Sequence, residues 1–291
     1  MRSLLDIRIG TLVNGNPTAA ETIASLLPHG FESFQISFWQ TLGEVELPRL
    51  AEQVRRTLSG SPAVISSLAV FGNPLETGEK DLLTLRAWEL AIDHAADFGC
   101  SIVAGFTGRV RGTPLPESLP RFREVFGPLA ERAAKRGVRL AFENCAMGGD
   151  WKSGDWNIAH GPDAWELMFD TLPAAHVGLC WEPCHQLVRL ADPIPQLDDW
   201  HRRIVCLHGK DASIDRPRIA RWGIGASHQW AWHRTPGFGE TDWTFLISKL
   251  RMHGFTGSID IEGWHDPVYR DELEIPGQVA ALRYLQRCRG G

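Results

Sequence analysis

The stretch LLTLRAWELAIDHAADFGCSIVAGFTG, residues 82–108, contains the repeating unit that decides the fold. Residues 82–99 carry apolar side chains at helical spacing and end at Gly99, a residue type that commonly terminates helices. The apolar run at residues 101–108 follows directly and has the composition of a buried strand. A helix that leads straight into such a strand predicts alternating α and β elements around a parallel sheet.

The same alternation repeats along the whole chain. We predict eight strands, each followed by a helical stretch, at residues 5–13, 33–39, 63–72, 101–108, 139–148, 177–185, 205–212 and 257–264. Eight such units without a linker fit a closed (β/α)8 barrel, the TIM-barrel architecture, as a single α/β domain over residues 1–291. The alternative is an open doubly wound sheet, which usually carries a Gly-rich loop after its first strand. Residues 11–20, TLVNGNPTAA, have no GxGxxG pattern.

The bulk composition narrows the class of protein. With 291 residues and 43% hydrophobic content, the chain can bury a sizeable core. A formal net charge of −5 disfavours a nucleic-acid binder, which normally presents a basic face. The six cysteines form no close CxxC pairs, the N-terminus lacks a signal-peptide pattern, and no apolar segment reaches the length of a membrane span. We therefore expect a soluble, cytoplasmic protein that binds neither nucleic acid nor membrane.

The predicted strands five to eight each carry an ionisable side chain near the same end. These side chains are Glu143, Glu182, His208 and Glu262. In a barrel of this type, chemistry takes place at the carboxyl ends of the strands. A buried carboxylate is costly unless it is paired or coordinates a cation, so the shared placement indicates a metal site rather than four separate ion pairs. Three carboxylates and one imidazole suit Mn²⁺, Mg²⁺ or Co²⁺, with Zn²⁺ as a further candidate.

The motifs around these residues resemble the xylose isomerase-like barrel superfamily, in particular its sugar isomerase and epimerase branch. The shared features are a FEN strand, an acid and a histidine three residues apart on strand six, an HxKD-like strand seven, a PGxGxxDW segment and the IE of strand eight. In this sequence they are Glu143, Glu182 with His185, His208 with Lys210 and Asp211, residues 236–243, and Glu262. The resemblance covers most of the chain and implies one divalent metal ion held by Glu143, Glu182, His208 and Glu262.

One position departs from the family pattern, because strand six usually offers Asp where this chain has Glu182. The longer side chain can coordinate differently or reach past the metal ion. The superfamily also contains DNA-repair endonucleases that use three zinc ions and need further histidines on earlier strands. Residues 63–72 and 101–108 contain no histidine, so an endonuclease-like enzyme is the weaker alternative. We expect one metal ion and a small-molecule sugar or polyol substrate.

The expected reaction is proton abstraction next to a carbonyl group. A metal ion that chelates a carbonyl and its neighbouring hydroxyl acidifies the adjacent C–H bond. Glu143 and Glu262 are the expected catalytic pair, one on each face of the substrate. The outcome is epimerisation or isomerisation, depending on where the proton returns. A metal-dependent lyase or hydratase on a keto-sugar, keto-glycoside or inosose stays open because its first step is identical. A non-catalytic sugar-binding barrel is a third alternative.

Substrate contacts are expected from polar and aromatic side chains at the same strand ends. Three kinds of side chain suit a sugar substrate. They are a hydrogen-bonding His, a cationic group that contacts a distal hydroxyl or charge, and Trp rings that combine an apolar face with a polar N–H. The residues predicted for these contacts are His185, Lys210, Arg216, Trp39, Trp181 and Trp264.

Two further segments carry one expectation each. Cys184 precedes His185, and since strand neighbours point to opposite faces, we expect Cys184 to be a small buried thiol without a direct role. Residues 212–241 form an unusually long connection that contains WGIGASHQWAWHR, which suggests a lid or a dimer contact. We expect a homo-oligomer, either a dimer or a tetramer.

Overall fold

The computed structural model describes residues 6–290 of the chain. Its strands are β1 (Ile7–Asn14), β2 (Ser33–Trp39), β3 (Val64–Phe71), β4 (Ile102–Gly105), β5 (Arg139–Glu143), β6 (Val177–Trp181), β7 (Ile204–Gly209), β8 (Asp211–Ile214), β9 (Ala231–Arg234) and β10 (Gly257–Ile261). Its α-helices are α1 (Ala19–Leu26), α2 (Leu47–Leu58), α3 (Glu79–His94), α4 (Leu119–Arg136), α5 (Pro162–Thr171), α6 (Cys184–Leu187), α7 (Pro193–Trp200), α8 (Arg216–Trp222), α9 (Trp243–Met252) and α10 (Glu274–Arg289). The outermost residues of the predicted first strand (residue 5) and of the predicted domain (1–5 and 291) lie outside the described residues.

Eight strands form a closed barrel in the order β1-β10-β7-β6-β5-β4-β3-β2. The pairing is parallel, with Ile7 opposite Gly257 between β1 and β10 and Leu140 opposite Val177 between β5 and β6. Helices connect successive strands, as parallel pairing requires. The predicted (β/α)8 barrel is therefore confirmed.

Helix α2 illustrates how the sequence builds the helices between the strands. Pro48 lies in its first turn, where an N–H would have no intrahelical partner. The buried positions recur at intervals of three and four residues, which places them on one face: Leu47, Leu50, Ala51 and Val54. Among residues 6–290, no helix is both long and apolar enough to span a bilayer.

Contacts within the chain define two compact units. Among the described residues, the C-terminal unit comprises residues 6–11, together with Glu182–Arg202 and residues 208–290. The N-terminal unit comprises Leu12–Trp181 and Arg203–Leu207. Its core includes apolar side chains from adjacent strands and from the residue that follows β4: Ala69, Phe71, Ala104, Phe106, Ala141, Cys180, Val205 and Cys206.

The long connection after β7 has secondary structure of its own. Strands β8 and β9 pair in antiparallel fashion, with Asp211 opposite Arg234 and Ile214 opposite Ala231. Helix α8 lies between them, and the Asp215 carboxylate caps it by accepting the N–H of Arg218. The connection is therefore a hairpin with an inserted helix. A role as a lid or as a dimer contact stays a prediction.

Candidate metal and substrate site

Three ionisable side chains of the C-terminal unit meet next to the barrel strands. Glu182 follows the last residue of β6, His208 is the penultimate residue of β7, and Glu262 follows the last residue of β10. The strands are neighbours in the order β10-β7-β6. Glu182 and His208 are completely buried, and only 8% of Glu262 is exposed. One ligand atom from each of the three residues lies within 4.8 Å of the other two.

The imidazole of His208 faces both carboxylates. Its Nδ1 lies 3.3 Å from Glu182 Oε2 and 3.4 Å from Glu262 Oε2. Two carboxylate oxygens and one ring nitrogen thus converge on the same point, and this donor set suits a hard or borderline divalent cation. The structure brings together these three predicted ligands, and their chemistry fits a divalent ion.

Lys210 places a buried positive charge beside the same carboxylates. Its Nζ donates to Glu262 Oε1 at 2.6 Å and lies 3.8 Å from Glu182 Oε1. Burial alone would lower the pKa of Lys210, but the attraction of Glu262 and Glu182 raises it well above its usual value. Burial alone would likewise raise the pKa of Glu262, but Lys210 and His208 together outweigh it, so this pKa is lowered. The pKa of Glu182 is also lowered, because His185, Lys210 and His208 together outweigh its burial. All three groups are therefore charged at neutral pH.

The segment after β6 differs from the predicted strand, which was expected to continue to residue 185. The strand ends at Trp181, and Pro183 caps the short helix α6 that begins at Cys184. Both Cys184 and His185 consequently face Glu182: Cys184 Sγ lies 2.7 Å and His185 Nε2 lies 3.2 Å from Glu182 Oε1. The expectation that these neighbours point to opposite faces is wrong, because it assumed strand geometry. Cys184 is buried, as predicted.

A histidine from the hairpin joins this group. His233 on β9 places its Nδ1 3.3 Å from Cys184 Sγ, and its ring centroid lies 5.3 Å from that of His185. Burial lowers the pKa of His233 to about 4, so the ring is neutral at neutral pH. The sequence pattern did not predict this residue. Residues 231–234, AWHR, show no alternation of apolar and polar side chains, so no local pattern marks this strand.

Glu143, the fourth predicted ligand, belongs to the N-terminal unit. It is the last residue of β5 and is only 4% exposed. Asn157 Nδ2 donates to the backbone carbonyls of Glu143 and Cys145 at 2.7 and 2.8 Å. Asn157 Oδ1 accepts the N–H of Thr107, after β4, at 3.1 Å. Asn157 therefore fixes the backbone where β5 ends, a role that the sequence pattern did not predict.

The other predicted substrate contacts lie in different environments. Trp39 is 57% exposed, with its ring centroid 5.5 Å from that of Trp156. Trp181 is completely buried, and Trp264 is half-buried. Arg216 is exposed at the start of α8 and donates to Glu240 at 2.7 Å. Of the predicted contacts, His185 and Lys210 lie beside Glu182, and the substrate roles of all six residues stay predictions.

Comparison with known proteins gives one family match and a set of similar structures. The family model described as a xylose isomerase-like TIM barrel matches residues 23–288. A comparison with curated proteins found no match.

Three of the similar solved structures are sugar epimerases. A 3-keto-D-glucoside 4-epimerase from E. coli has a TM-score of 0.72 and 15% identity, over 97% of this chain and 100% of that one. An L-ribulose 3-epimerase has a TM-score of 0.69 and 17% identity, over 98% and 96%. A D-psicose 3-epimerase, crystallised in the presence of D-fructose, has a TM-score of 0.71 and 13% identity, over 98% and 100%. At sequence identities this low, the structural similarity establishes a shared fold alone.

Proposed function

Because the chain belongs to the xylose isomerase-like TIM barrel family, we propose that it is a metal-dependent sugar isomerase or epimerase. The observation that carries the proposal is the convergence of Glu182, His208 and Glu262 on one point next to the carboxyl ends of barrel strands. Enzymes with this fold hold their active sites at that end of the barrel. The proposed substrate is a keto-sugar or a related polyol.

The proposed ligands of the metal ion are Glu182, His208 and Glu262, with Glu143 as the fourth. Two facts support Glu143: β5 is next to β6 in the barrel, and Glu143 pairs in register with Cys180, two residues before Glu182. A set rich in carboxylate oxygen favours Mn²⁺, Mg²⁺ or Co²⁺. When bound, the ion would supply the Lewis acidity that polarises a substrate carbonyl.

Glu262 and Glu143 are the proposed proton-transfer groups, one for each face of the substrate. Removal of a proton from the carbon next to a carbonyl leaves an enediolate, and return of a proton to the opposite face inverts that carbon. Lys210 supports this role because its ammonium group, 2.6 Å from Glu262 Oε1, keeps the carboxylate ionised and able to accept a proton. His185 is the proposed hydrogen-bond donor to a substrate oxygen.

The names of two similar structures support the substrate class. One is a 3-keto-D-glucoside 4-epimerase and the other a D-psicose 3-epimerase. In both reactions the inverted carbon is next to the keto carbon of the sugar, where a carboxylate can remove a proton. The same chemistry is proposed for this chain.

The test is proton exchange in D₂O. The full chain, loaded with Mn²⁺ or Mg²⁺, is incubated with a panel of 3-keto-glucosides and ketohexoses. The products are detected by NMR, directly in the samples with Mg²⁺ and after removal of the ion in the samples with Mn²⁺. We expect deuterium at the carbon next to the carbonyl, together with an epimer or isomer. Glu262→Gln should abolish the exchange, whereas Glu240→Gln, at the carboxylate paired with Arg216, should retain it.

The products separate the remaining alternatives. Deuterium exchange accompanied by an unsaturated product would indicate a lyase or hydratase instead of an isomerase. No exchange with any member of the panel, in samples whose metal content has been verified, would contradict the proposal.

A further inference from the structure

Two tryptophans of the N-terminal unit form an exposed pair. Trp39 is the last residue of β2, and Trp156 lies in the connection between β5 and α5. Their ring centroids are 5.5 Å apart, and the ring planes are inclined by 35°. Trp39 is 57% exposed and Trp156 is half-buried. Because large aromatic side chains are usually buried, this pair, here called the tryptophan platform, has the character of a binding surface.

Buried amides hold the residues on both sides of Trp156 in place. Asn73, which is 1% exposed, donates from Nδ2 to the carbonyl of Asp155 at 2.8 Å. Asn157, also 1% exposed, donates from Nδ2 to the carbonyl of Glu143 at 2.7 Å. Hydrogen bonds in the interior are stronger than those that compete with water. Trp156 therefore extends from a fixed backbone.

A buried guanidinium group fixes an adjoining part of the same connection. Arg109 is completely buried and donates to the carbonyls of Asp150, Thr113 and Trp151 at 2.5, 2.8 and 3.3 Å. A Cβ atom on Gly154 would lie 2.7 Å from Arg109 Nη1, so the guanidinium group fills space that glycine leaves. Burial of a charge is costly, and these hydrogen bonds offset part of the cost. The shape of the connection is therefore tied to Arg109.

The backbone next to Trp39 is constrained as well. Gln40 has a φ of 64°, in the left-handed region that few residues other than glycine adopt. Its N–H donates to the carbonyl of Phe71, the last residue of β3, at 2.9 Å. Strained residues of this kind persist where the surrounding structure holds them, often at functional sites. Both tryptophans of the platform thus have defined positions.

The platform lies near Glu143 but is more accessible to solvent. Asn157, which contacts the Glu143 carbonyl, directly follows Trp156, and consecutive Cα atoms are about 3.8 Å apart. Glu143 is 4% exposed, whereas Trp39 is 57% exposed. A ring that reacts at Glu143 must enter the interior, and a ring on the platform stays at the surface. A substrate that occupies both positions needs two linked rings.

We propose that the tryptophan platform is an outer subsite that binds the second pyranose ring of a glycoside. The substrate is then a keto-glycoside rather than a free ketose. This inference rests on the proposed function, because it assigns the reacting ring to Glu143. A Trp ring offers its apolar face to the C–H groups of a pyranose, and the N–H at its edge can donate to a hydroxyl.

The first test measures binding and needs no reaction. The full chain, loaded with Mg²⁺, is titrated calorimetrically with cellobiose and maltose, which have no keto group, and with methyl glucoside, which has no second ring. We expect at least one disaccharide to bind about tenfold more tightly than methyl glucoside. Trp39→Ala should remove this advantage. Trp222→Ala is the matched control, at a residue of α8 that is 43% exposed, and should retain it.

The second test uses the 3-keto derivatives of the same three sugars in the D₂O exchange assay. Trp39→Ala and Trp156→Ala should each raise the KM for the keto-disaccharide about 2–10-fold and leave kcat unchanged, because the outer ring contributes equal binding in the ground state and the transition state. The KM for methyl 3-keto-glucoside should stay the same in both variants.

The two tests separate this inference from the proposed function. A disaccharide that binds no more tightly than methyl glucoside, or an advantage that persists in Trp39→Ala, would overturn the outer subsite and leave the proposed reaction intact. A change in oligomeric state of Trp39→Ala, without a change in glycoside affinity, would assign the pair to a contact between copies. Binding through Trp39 without deuterium exchange in any keto-sugar would instead contradict the proposed reaction and support the subsite.

Discussion

The buried carboxylates of the C-terminal unit differ in their partners, as a comparison of Asp211 with the pair Glu182 and Glu262 shows. Asp211 Oδ1 accepts the N–H of Ala212 at 2.8 Å and both the N–H and the hydroxyl of Thr241 at 2.9 and 2.7 Å. Its Oδ2 accepts Trp243 Nε1 at 3.2 Å. Glu182 and Glu262 instead face the ionisable side chains of His208 and Lys210. Neutral donors fix a loop around Asp211, whereas ionisable partners leave the two glutamates suited to bind a cation.

Asp266, which lies after β10, resembles Asp211 because most of its donors are neutral N–H groups. Its Oδ2 accepts the N–H of Thr235 at 2.7 Å, and its Oδ1 accepts the N–H groups of Val268 and Tyr269 at 2.8 and 3.0 Å. Its one ionisable partner is Arg234, whose Nε donates to Oδ2 at 3.2 Å. An acid near a strand end is therefore not a sufficient sign of a metal ligand. The partners of the acid separate a structural role from a chemical one, and these partners become known only from the structure.

The largest effect is expected for Glu262→Gln, measured by steady-state kinetics with metal present. Turnover should fall by about 10²–10⁴-fold, because an amide cannot accept the substrate proton. Asp211→Asn is the matched control and should keep most of the turnover, since it leaves Glu182, His208 and Glu262 unchanged. Equal losses in the two variants would remove the distinction between the two kinds of carboxylate.

Next in size is the effect of Lys210→Met on the stability of the metal-free chain. It leaves Glu182 and Glu262 without their buried cation, which should cost about 3–5 kcal/mol in the free energy of unfolding. A bound divalent ion should restore part of this loss, because it supplies positive charge and binds the folded chain. Urea denaturation with and without Mn²⁺ measures both effects.

Lys249→Met is the control for this prediction. Lys249 pairs with Asp198 at 2.6 Å, and the Asp198 side chain is 38% exposed. Loss of such a partly exposed ion pair should cost less than about 1 kcal/mol and should not respond to metal. Equal costs for the two lysine variants would show that the charge of Lys210 does not stabilise the cluster.

Asp211→Ala should have a smaller effect, on stability alone. It leaves the partly buried donors of Thr241 and the buried indole N–H of Trp243 without their acceptor, which should cost about 2–3 kcal/mol. Asp242→Ala removes only the cap of α9, where Asp242 accepts the N–H of Phe245, and should cost about 1 kcal/mol. Thermal or urea unfolding compares the two, and Mn²⁺ binding should be unchanged in both. Weakened Mn²⁺ binding in Asp211→Ala would place Asp211 in the metal site.

The smallest effect is the acid dependence of stability due to Asp6. Its hydrogen bond with Arg251 lowers the pKa of the Asp6 carboxyl in the folded chain, despite partial burial. Because the folded pKa lies below the unfolded value of about 3.9, this stabilisation is complete well above pH 3.9 and disappears as the pH falls through the folded pKa. Asp6→Asn should therefore flatten the decline of stability below about pH 4. An unchanged slope would contradict this prediction.

Much of the fold could be predicted because its signals are local. Periodicity and helix ends gave the alternation of strands and helices, and the predicted strand limits 33–39 coincide with β2. The prediction for the segment after β6 was wrong because apolar composition does not show where a strand ends. Pro183 was the available signal, since proline cannot donate a ladder hydrogen bond and is rare inside central strands.

The site could be predicted in part for the same physical reason. Strand ends of a parallel barrel meet on one side, so the approach of Glu182, His208 and Glu262 follows from the order of the elements. The contact between Cys184 and His233 joins residues 49 positions apart. It depends on the pairing of β8 with β9, and a sequence pattern does not determine that geometry.

The most direct test of the central claim is a crystal structure of the full chain loaded with Mn²⁺, with diffraction data collected at the manganese absorption edge. We predict one anomalous difference peak bounded by Glu182 Oε2, His208 Nδ1 and Glu262 Oε2. The Lys210 ammonium should remain on the Glu262 oxygen that faces away from His208. A peak beside Asp211 or Asp266, or no peak near His208 in a crystal that contains manganese, would contradict the account.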